Sequence, residues 1–174
     1  MTDETAAGPT LPICCTCASS HVLVDAWGTW SLSRQAWELS VAFENGYCES
    51  CAAETRFFEW VRPQEQRTRR TRVLNDQLRQ HVPGPHDRIV MTHAVAAHGE
   101  VFVAEVAARL HSFAAFDEAN DPHHEHDFGV FSVEGERLYF KIDYYNVALD
   151  GHSPDPTDPA VTARVLTIML AHEY

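Results

Sequence analysis

The sequence predicts an α+β fold: a small β zinc ribbon followed by a larger domain in which a β-hairpin sheet packs against two or three helices. Three observations lead there. Two Cys-x-x-Cys pairs, Cys14 with Cys17 and Cys48 with Cys51, bracket a segment that alternates like a strand. Phe102, Val106, Leu110 and Phe113 recur at helical spacing and define an amphipathic helix. The strand-like runs 127–133 and 137–147 flank Glu134-Gly135-Glu136, a hairpin turn. At 174 residues and 45% hydrophobic composition, the chain can bury one ordinary core plus a small satellite.

The elements follow in chain order. Residues 1–12 are expected to be a disordered N-terminus, and 13–54 a metal-stapled β module. Within that module 22–26 is a β-branched run. Trp37, Leu39, Val41 and Phe43 alternate with Glu38, Ser40 and Ala42, the period of a strand with one buried face. Ser33, Arg34 and Gln35 form the turn between strands, and Asn45-Gly46 gives a second turn signal before Cys48. Residues 55–74 read as a basic helical connector, with the helical pattern reaching Val82 through Val73, Leu74 and Leu78 before Pro83-Gly84-Pro85 ends it. Residues 75–174 form an acidic α+β domain, with 88–92 a short strand and 117–126 a loop rich in Asp, Asn, His and Pro. Asp158-Pro159 reads as an N-cap and N1 pair opening a last helix to about His172, whose apolar positions are Val161, Val165, Ile168 and Met169.

Charge is unevenly spread. Residues 1–51 hold one Arg against six acids, 52–74 hold six Arg (Arg56, Arg62, Arg67, Arg69, Arg70, Arg72) against three Glu, and 75–174 hold six bases against sixteen acids. An acidic body behind a basic connector repels nucleic acid at long range and favours cationic partners, when its charge does more than keep it in solution. Ten of the eleven histidines follow residue 80, so the negative charge falls as pH drops through about 6.5. No apolar run reaches 18 residues and Met1–Thr10 lacks a signal-like pattern, so the expectation is a cytoplasmic protein with no membrane partner.

Five cysteines suit a reducing compartment, where thiolates hold metal. Cys14-x-x-Cys17, thirty intervening residues, then Cys48-x-x-Cys51 can close a tetrahedral Zn2+ site. Four thiolates leave no open position for water, so the expected role is folding. A redox pair or an iron centre is the alternative, without the βαβ setting a redox motif needs. Cys15 is a bystander or a substitute for Cys14. The ribbon's single base, Arg34, disfavours direct nucleic-acid binding, leaving Arg67–Arg72 as its only basis.

A second cluster comprises Glu125, His126, Asp127, Lys141 and Asp143, brought to one end of the sheet if the hairpin pairs as expected. Carboxylates, imidazole and ammonium together suit metal-assisted hydrolysis or general acid-base catalysis, a binding surface, or the pinning of a loop by a His-Asp pair.

Asn75-Asp-Gln-Leu-Arg79, Asn120-Asp-Pro, Glu125-His-Asp-Phe-Gly129, Lys141-Ile-Asp-Tyr-Tyr145, Ser153-Pro-Asp-Pro156, Thr162-Ala-Arg-Val-Leu-Thr167 and Glu173-Tyr174, in that order, resemble the DUF3768 family over about residues 74–174. The resemblance implies a small bacterial family met on plasmids and other mobile elements of proteobacteria, with no activity to carry over. His123 and His124 stand where the family has an aromatic and a small residue, which centres any site on Glu125, His126 and Asp127.

Three functions follow as expectations. The first is a zinc-binding, non-enzymatic interaction protein engaging a basic nucleic-acid-binding partner, as an anti-restriction or anti-CRISPR factor with an acidic DNA-mimic face would. The second is a metal-dependent hydrolase or phosphodiesterase with His126, Asp127 and Asp143 on the metal and Lys141 steadying developing charge. The third is a DNA-binding regulator working through the arginine-rich connector.

Overall fold

The computed structural model describes residues 8–55 and 58–174. Residues 1–7 of the expected disordered terminus, and Arg56 of the connector, lie outside the described residues. The chain divides into two compact units, 1–70 and 71–174.

In the first unit β1 (Leu11–Cys14) pairs antiparallel with β5 (Phe58–Val61). A separate antiparallel sheet runs β2 (Val22–Ser31), β3 (Ala36–Cys48), β4 (Ala53–Thr55). Three expectations need correcting. Residues 11 and 12 are strand, because β5 offers a partner ladder to them. Asn45-Gly46 is not a turn: both lie within β3, and Gly46 is there because a Cβ would collide with the Phe58 ring and the Leu23 carbonyl. Nor does the connector start as helix at residue 55. Strands β4 and β5 occupy its first part, and helix α1 (Pro63–Arg79) begins only at a proline suited to N1.

The hairpin β2–β3 also departs from expectation. Trp37, Leu39, Val41 and Phe43 face solvent, because the buried apolar cluster among the unit's described residues is Ile13, Ala18 and Val61, and a register shift between the Trp27–Val41 and Gly28–Leu39 pairs interrupts the alternation. Period-two alternation tells which side chains share a face and cannot tell whether anything covers that face.

The second unit has its own core. Strands β6 (Arg88–Met91), β7 (Phe128–Val133), β8 (Glu136–Asn146) and β9 (Thr162–Leu170) form one sheet in the order β6-β9-β8-β7. Strand β6 runs parallel to β9 and the other pairs are antiparallel. Gly135, at φ 89°, and Glu134, at φ 49°, make the tight β7–β8 turn, left-handed positions in which glycine carries no steric cost. Helices α2 (His93–Ala97) and α3 (Glu100–Ser112) complete the unit, with Thr92 capping α2. Phe102, Val106, Leu110 and Phe113 are buried as the helical spacing predicts, in one core with Leu138, Phe140, Ile142, Leu166 and Ile168.

The expected last helix is a strand instead. Val161, Val165, Ile168 and Met169 fit a helical stripe, yet Thr162–Leu170 is β9, flanked on both sides by other strands and followed by a short 3-10 turn at Ala171–Glu173. An interior strand covered on both faces reads as a continuous apolar run, which periodicity alone does not separate from a helix. Asp158 caps a turn here, its Oδ1 accepting from the Ala160 amide at 2.8 Å. No helix among the described residues is long and apolar enough to cross a membrane.

Candidate metal centre

Cys14 ends β1 and Cys17 lies in the turn that follows, while Cys48 ends β3 and Cys51 lies in the turn toward β4. The four Sγ atoms all lie within 4.8 Å of one another, and Cys17 Sγ is 3.6 Å from Cys48 Sγ. Four sulfurs at about 2.3 Å from a tetrahedral ion stand roughly 3.8 Å apart, so the spacing fits one ion and is far beyond a disulfide bond. Cys14, not Cys15, belongs to the group, and Cys15 is exposed.

The two knuckles are built alike. Each is a Cys-x-x-Cys followed by an alanine in the left-handed region, Ala18 at φ 54° and Ala52 at φ 51°. The Ala18 amide donates to the Cys14 carbonyl at 2.9 Å, closing the first knuckle. The Glu49 amide donates to the His21 carbonyl at 3.0 Å and the Ser50 hydroxyl to Ser19 Oγ at 2.8 Å, tying the second knuckle to the first. An L-residue pays roughly 1–2 kcal/mol for that backbone, and Ala52 is exposed, so its methyl gains little packing in return. Ala52→Gly is therefore expected to stabilise the ribbon by about 0.5–1 kcal/mol, read as slower metal loss to a chelator; faster loss would contradict it.

Burial raises the Cys14 thiol, but the Cys17 and Thr16 amides, with the thiols of Cys48 and Cys17, bring it down to about 7. Burial holds Cys17 and Cys51 above the ordinary thiol value, and at Cys51 the thiols of Cys17 and Cys48 add to it. Thiolates this close repel, and a divalent cation is the chemistry that lets several ionise together.

Helix α1 supports the first knuckle, a role no sequence motif announced. Gln66 Nε2 donates to the Ala18 carbonyl at 3.0 Å and Arg70 Nη1 to the Cys17 carbonyl at 2.9 Å. Arg69 pairs with Glu59 at 2.6 Å and Glu65 at 2.7 Å. Part of the arginine run is thus engaged inside the unit.

The five polar candidates of the second unit do not close on one ion: Asp127 meets β8 through its carbonyl, which accepts from the Ile142 amide at 2.7 Å, and its carboxyl lies near those of Glu125, Asp121 and Asp143. Along β8, Lys141 and Asp143 share one face, pairing at 2.9 Å, while Tyr144 points to the other. The Tyr144 hydroxyl donates to Glu125 Oε2 at 3.2 Å and accepts from Asn75 Nδ2 at 2.7 Å. His126 Nδ1 lies 3.0 Å from Asp76 Oδ1, its Nε2 lies 3.7 Å from Asp121 Oδ2, and its ring stacks on Phe116 at 3.7 Å. Asp121 Oδ1 accepts from the amides of Glu125 at 2.8 Å and His126 at 3.0 Å. This is the His-Asp pinning of a loop that the sequence left open, with Asp76 as the partner not foreseen. Among the described residues, the ligating atoms that converge for an ion are the four sulfurs.

Buried Asn75 ties the network together. Its amide also donates to the Glu125 carbonyl at 2.8 Å and its Oδ1 accepts from Arg164 Nε at 3.2 Å; Arg164, fully buried, reaches the Pro156 carbonyl and stacks over Tyr144 at 5.8 Å. The segments 75–79, 120–129, 141–145, 153–156 and 162–167, scattered in the sequence, meet in this one network.

Burial raises the carboxyls of Glu125 and Asp127, with the nearby Asp121 carboxylate adding in each case. A carboxyl raised on folding is neutral in both states at low pH and costs stability once pH passes the unfolded value of about 3.9, fully so above the folded value. Asp127→Asn is therefore expected to raise the melting temperature at pH 7–8, by the equivalent of less than about 1 kcal/mol because solvent screens the site. The gain should vanish toward pH 3; a gain that does not change with pH would contradict this.

Residues 91–173 match the model of a family described as a protein of unknown function, DUF3768, so the match falls within the second unit and leaves the ribbon outside it. No curated protein and no solved structure matches the chain.

Proposed function

We propose that this chain is a zinc-binding, non-enzymatic docking protein of a reducing, cytoplasmic compartment. One contrast carries the reading. Lys141 pairs with Asp143, and Glu125 and His126 are held by Tyr144 and by Asp76 of α1, whereas the large apolar side chains of the β2–β3 hairpin face solvent. A closed four-thiolate shell supplies folding energy and no reactive water, and zinc is the ion whose preferences such a shell meets best. Buried functional groups that complete each other's hydrogen bonds rigidify a fold and leave little for a substrate.

The acidic second unit supports a basic macromolecule as partner. A nucleic-acid-binding protein would meet it as it meets a phosphate backbone, the relation an antagonist of host defence on a mobile element would exploit. The test is titration of the zinc-loaded full chain against a basic DNA-binding protein at about 50 and 300 mM salt, with a parallel assay on phosphodiester substrates in excess Mn2+. The expected result is at least tenfold weaker binding at the higher salt and no turnover. Equal affinity at both salts removes the DNA-mimic reading, and turnover that follows Mn2+ replaces docking with hydrolysis.

A further inference from the structure

The inner end of the β2–β3 hairpin is irregular, and a groove forms there. Between the Val24–Gly46 and Ala26–Ala42 pairs, β3 sets Phe43, Glu44 and Asn45 against the single Asp25. A bulge of this kind re-aims side chains, so Phe43 and Glu44, which a regular strand would send to opposite sides, both line the groove. Strand β5 supplies Phe58 and Trp60, which lie two residues apart and share a face. Val22 and Val24 add aliphatic surface, and the volume of about 540 Å³ is that of a small-ligand site.

Three aromatic rings and one carboxylate are the parts of a site for an organic cation. Aromatic faces attract a cation through the ring quadrupole, indole most strongly, and a carboxylate neutralises its charge. Among the described residues that line the groove, Glu44 is the one ionisable group, and no arginine of α1 is among them. An apolar occupant that covered Glu44 would strip its carboxylate of water and give it no partner. Trp60 is 66% exposed and Phe43 39%, so both rings keep surface to offer. The strands around the groove draw the same kind of visitor. Residues 8–55 and 58–61 hold Asp25, Glu38, Glu44, Glu49, Glu54 and Glu59 against Arg34, of which Glu38 is answered by Arg34 at 3.1 Å and Glu59 by Arg69 of α1.

We infer that this groove receives an arginine side chain of a basic partner protein, its guanidinium laid against Trp60 and paired with Glu44. The inference rests on the docking reading and names the contact through which the ribbon takes part in it. Arginine fits better than lysine, because a guanidinium is planar, weakly hydrated and stacks on aromatic faces. An acidic surface attracts every cation alike, whereas the groove selects one side chain.

The experiment is a two-dimensional NMR titration of the zinc-loaded full chain, reading the indole N–H signals, with a capped pentapeptide that carries one central arginine. The same peptide with lysine, or with citrulline as the neutral isostere of arginine, gives the comparison. Trp60→Leu and Glu44→Gln alter the groove, Trp37→Leu alters an exposed indole outside it, and zinc per chain reports that each ribbon is intact. The expected result is a saturable shift of the Trp60 indole with the arginine peptide, about threefold weaker binding of the lysine peptide and at least about tenfold weaker binding of the citrulline peptide. W60L and E44Q each weaken the arginine peptide by about tenfold, and W37L leaves it unchanged. Equal binding of the arginine and citrulline peptides overturns the inference, because the groove then takes a neutral group. Binding that W60L and E44Q both leave unchanged puts the arginine elsewhere and also overturns it, while docking to a basic partner stands. No binding of any peptide up to about 5 mM overturns it as well. The docking reading then stands or falls on the salt titration with the intact basic protein, in which W60L would bind as the wild type does.

Discussion

Replacing Cys48 by Ser is expected to abolish metal binding and unfold the first unit. The sulfur lost is buried, stands 3.6 Å from Cys17 and belongs to a four-member shell. Among the described residues little else holds this unit together: the buried apolar cluster is Ile13, Ala18 and Val61, and the hairpin turns large apolar side chains outward. Structural zinc contributes roughly 10–16 kcal/mol at neutral pH in small domains, more than such a cluster can replace. Hydrogen exchange is the readout. Amides of residues 11–61 should lose protection in C48S, and in wild type treated with a strong chelator, while those of β8 and β9 keep theirs. Retained protection in the ribbon of C48S would mean the fold does not depend on the shell.

The second large effect is expected at Asn75, which is fully buried at the centre of the polar network. Asn75→Ala removes the acceptor of Arg164 Nε and the donor to both the Glu125 carbonyl and the Tyr144 hydroxyl. Each buried polar group left without its partner costs on the order of 1–3 kcal/mol, more when it is charged. A total of about 3–5 kcal/mol, lowering the second unit's melting temperature by more than about 10 °C, is expected by calorimetry. A loss under about 1 kcal/mol would show that water replaces the amide and that the network is not what fixes the 120–129 loop.

How much of this was legible in the sequence depended on whether a signal is local. The cysteine pairs were legible because thiolate spacing reports a site directly, and α3 because Phe102, Val106, Leu110 and Phe113 have a core to face and do face it. Strand β9 was not, since Val161, Val165, Ile168 and Met169 satisfy a helical template while the β-branched run Thr162–Leu170 is long enough for either element. Its place between β6 and β8 is decided by pairings made far along the chain. The polar cluster was legible only in part, for a related reason. The expected hairpin pairing suggested that Lys141, Asp143 and His126 come to one end of the sheet, but β-alternation sends Lys141 and Asp143 to the face opposite Tyr144. His126 answers instead to Asp76, fifty residues away on α1. The supports of the metal site, Gln66 and Arg70, resemble any solvated helix positions until the fold brings them to the first knuckle.

X-ray absorption at the zinc edge of protein purified without added metal tests the central claim most directly. Four sulfur scatterers at about 2.3 Å and one zinc per chain are predicted. A shell containing nitrogen or oxygen, or cysteines found oxidised with no metal between them, would contradict it.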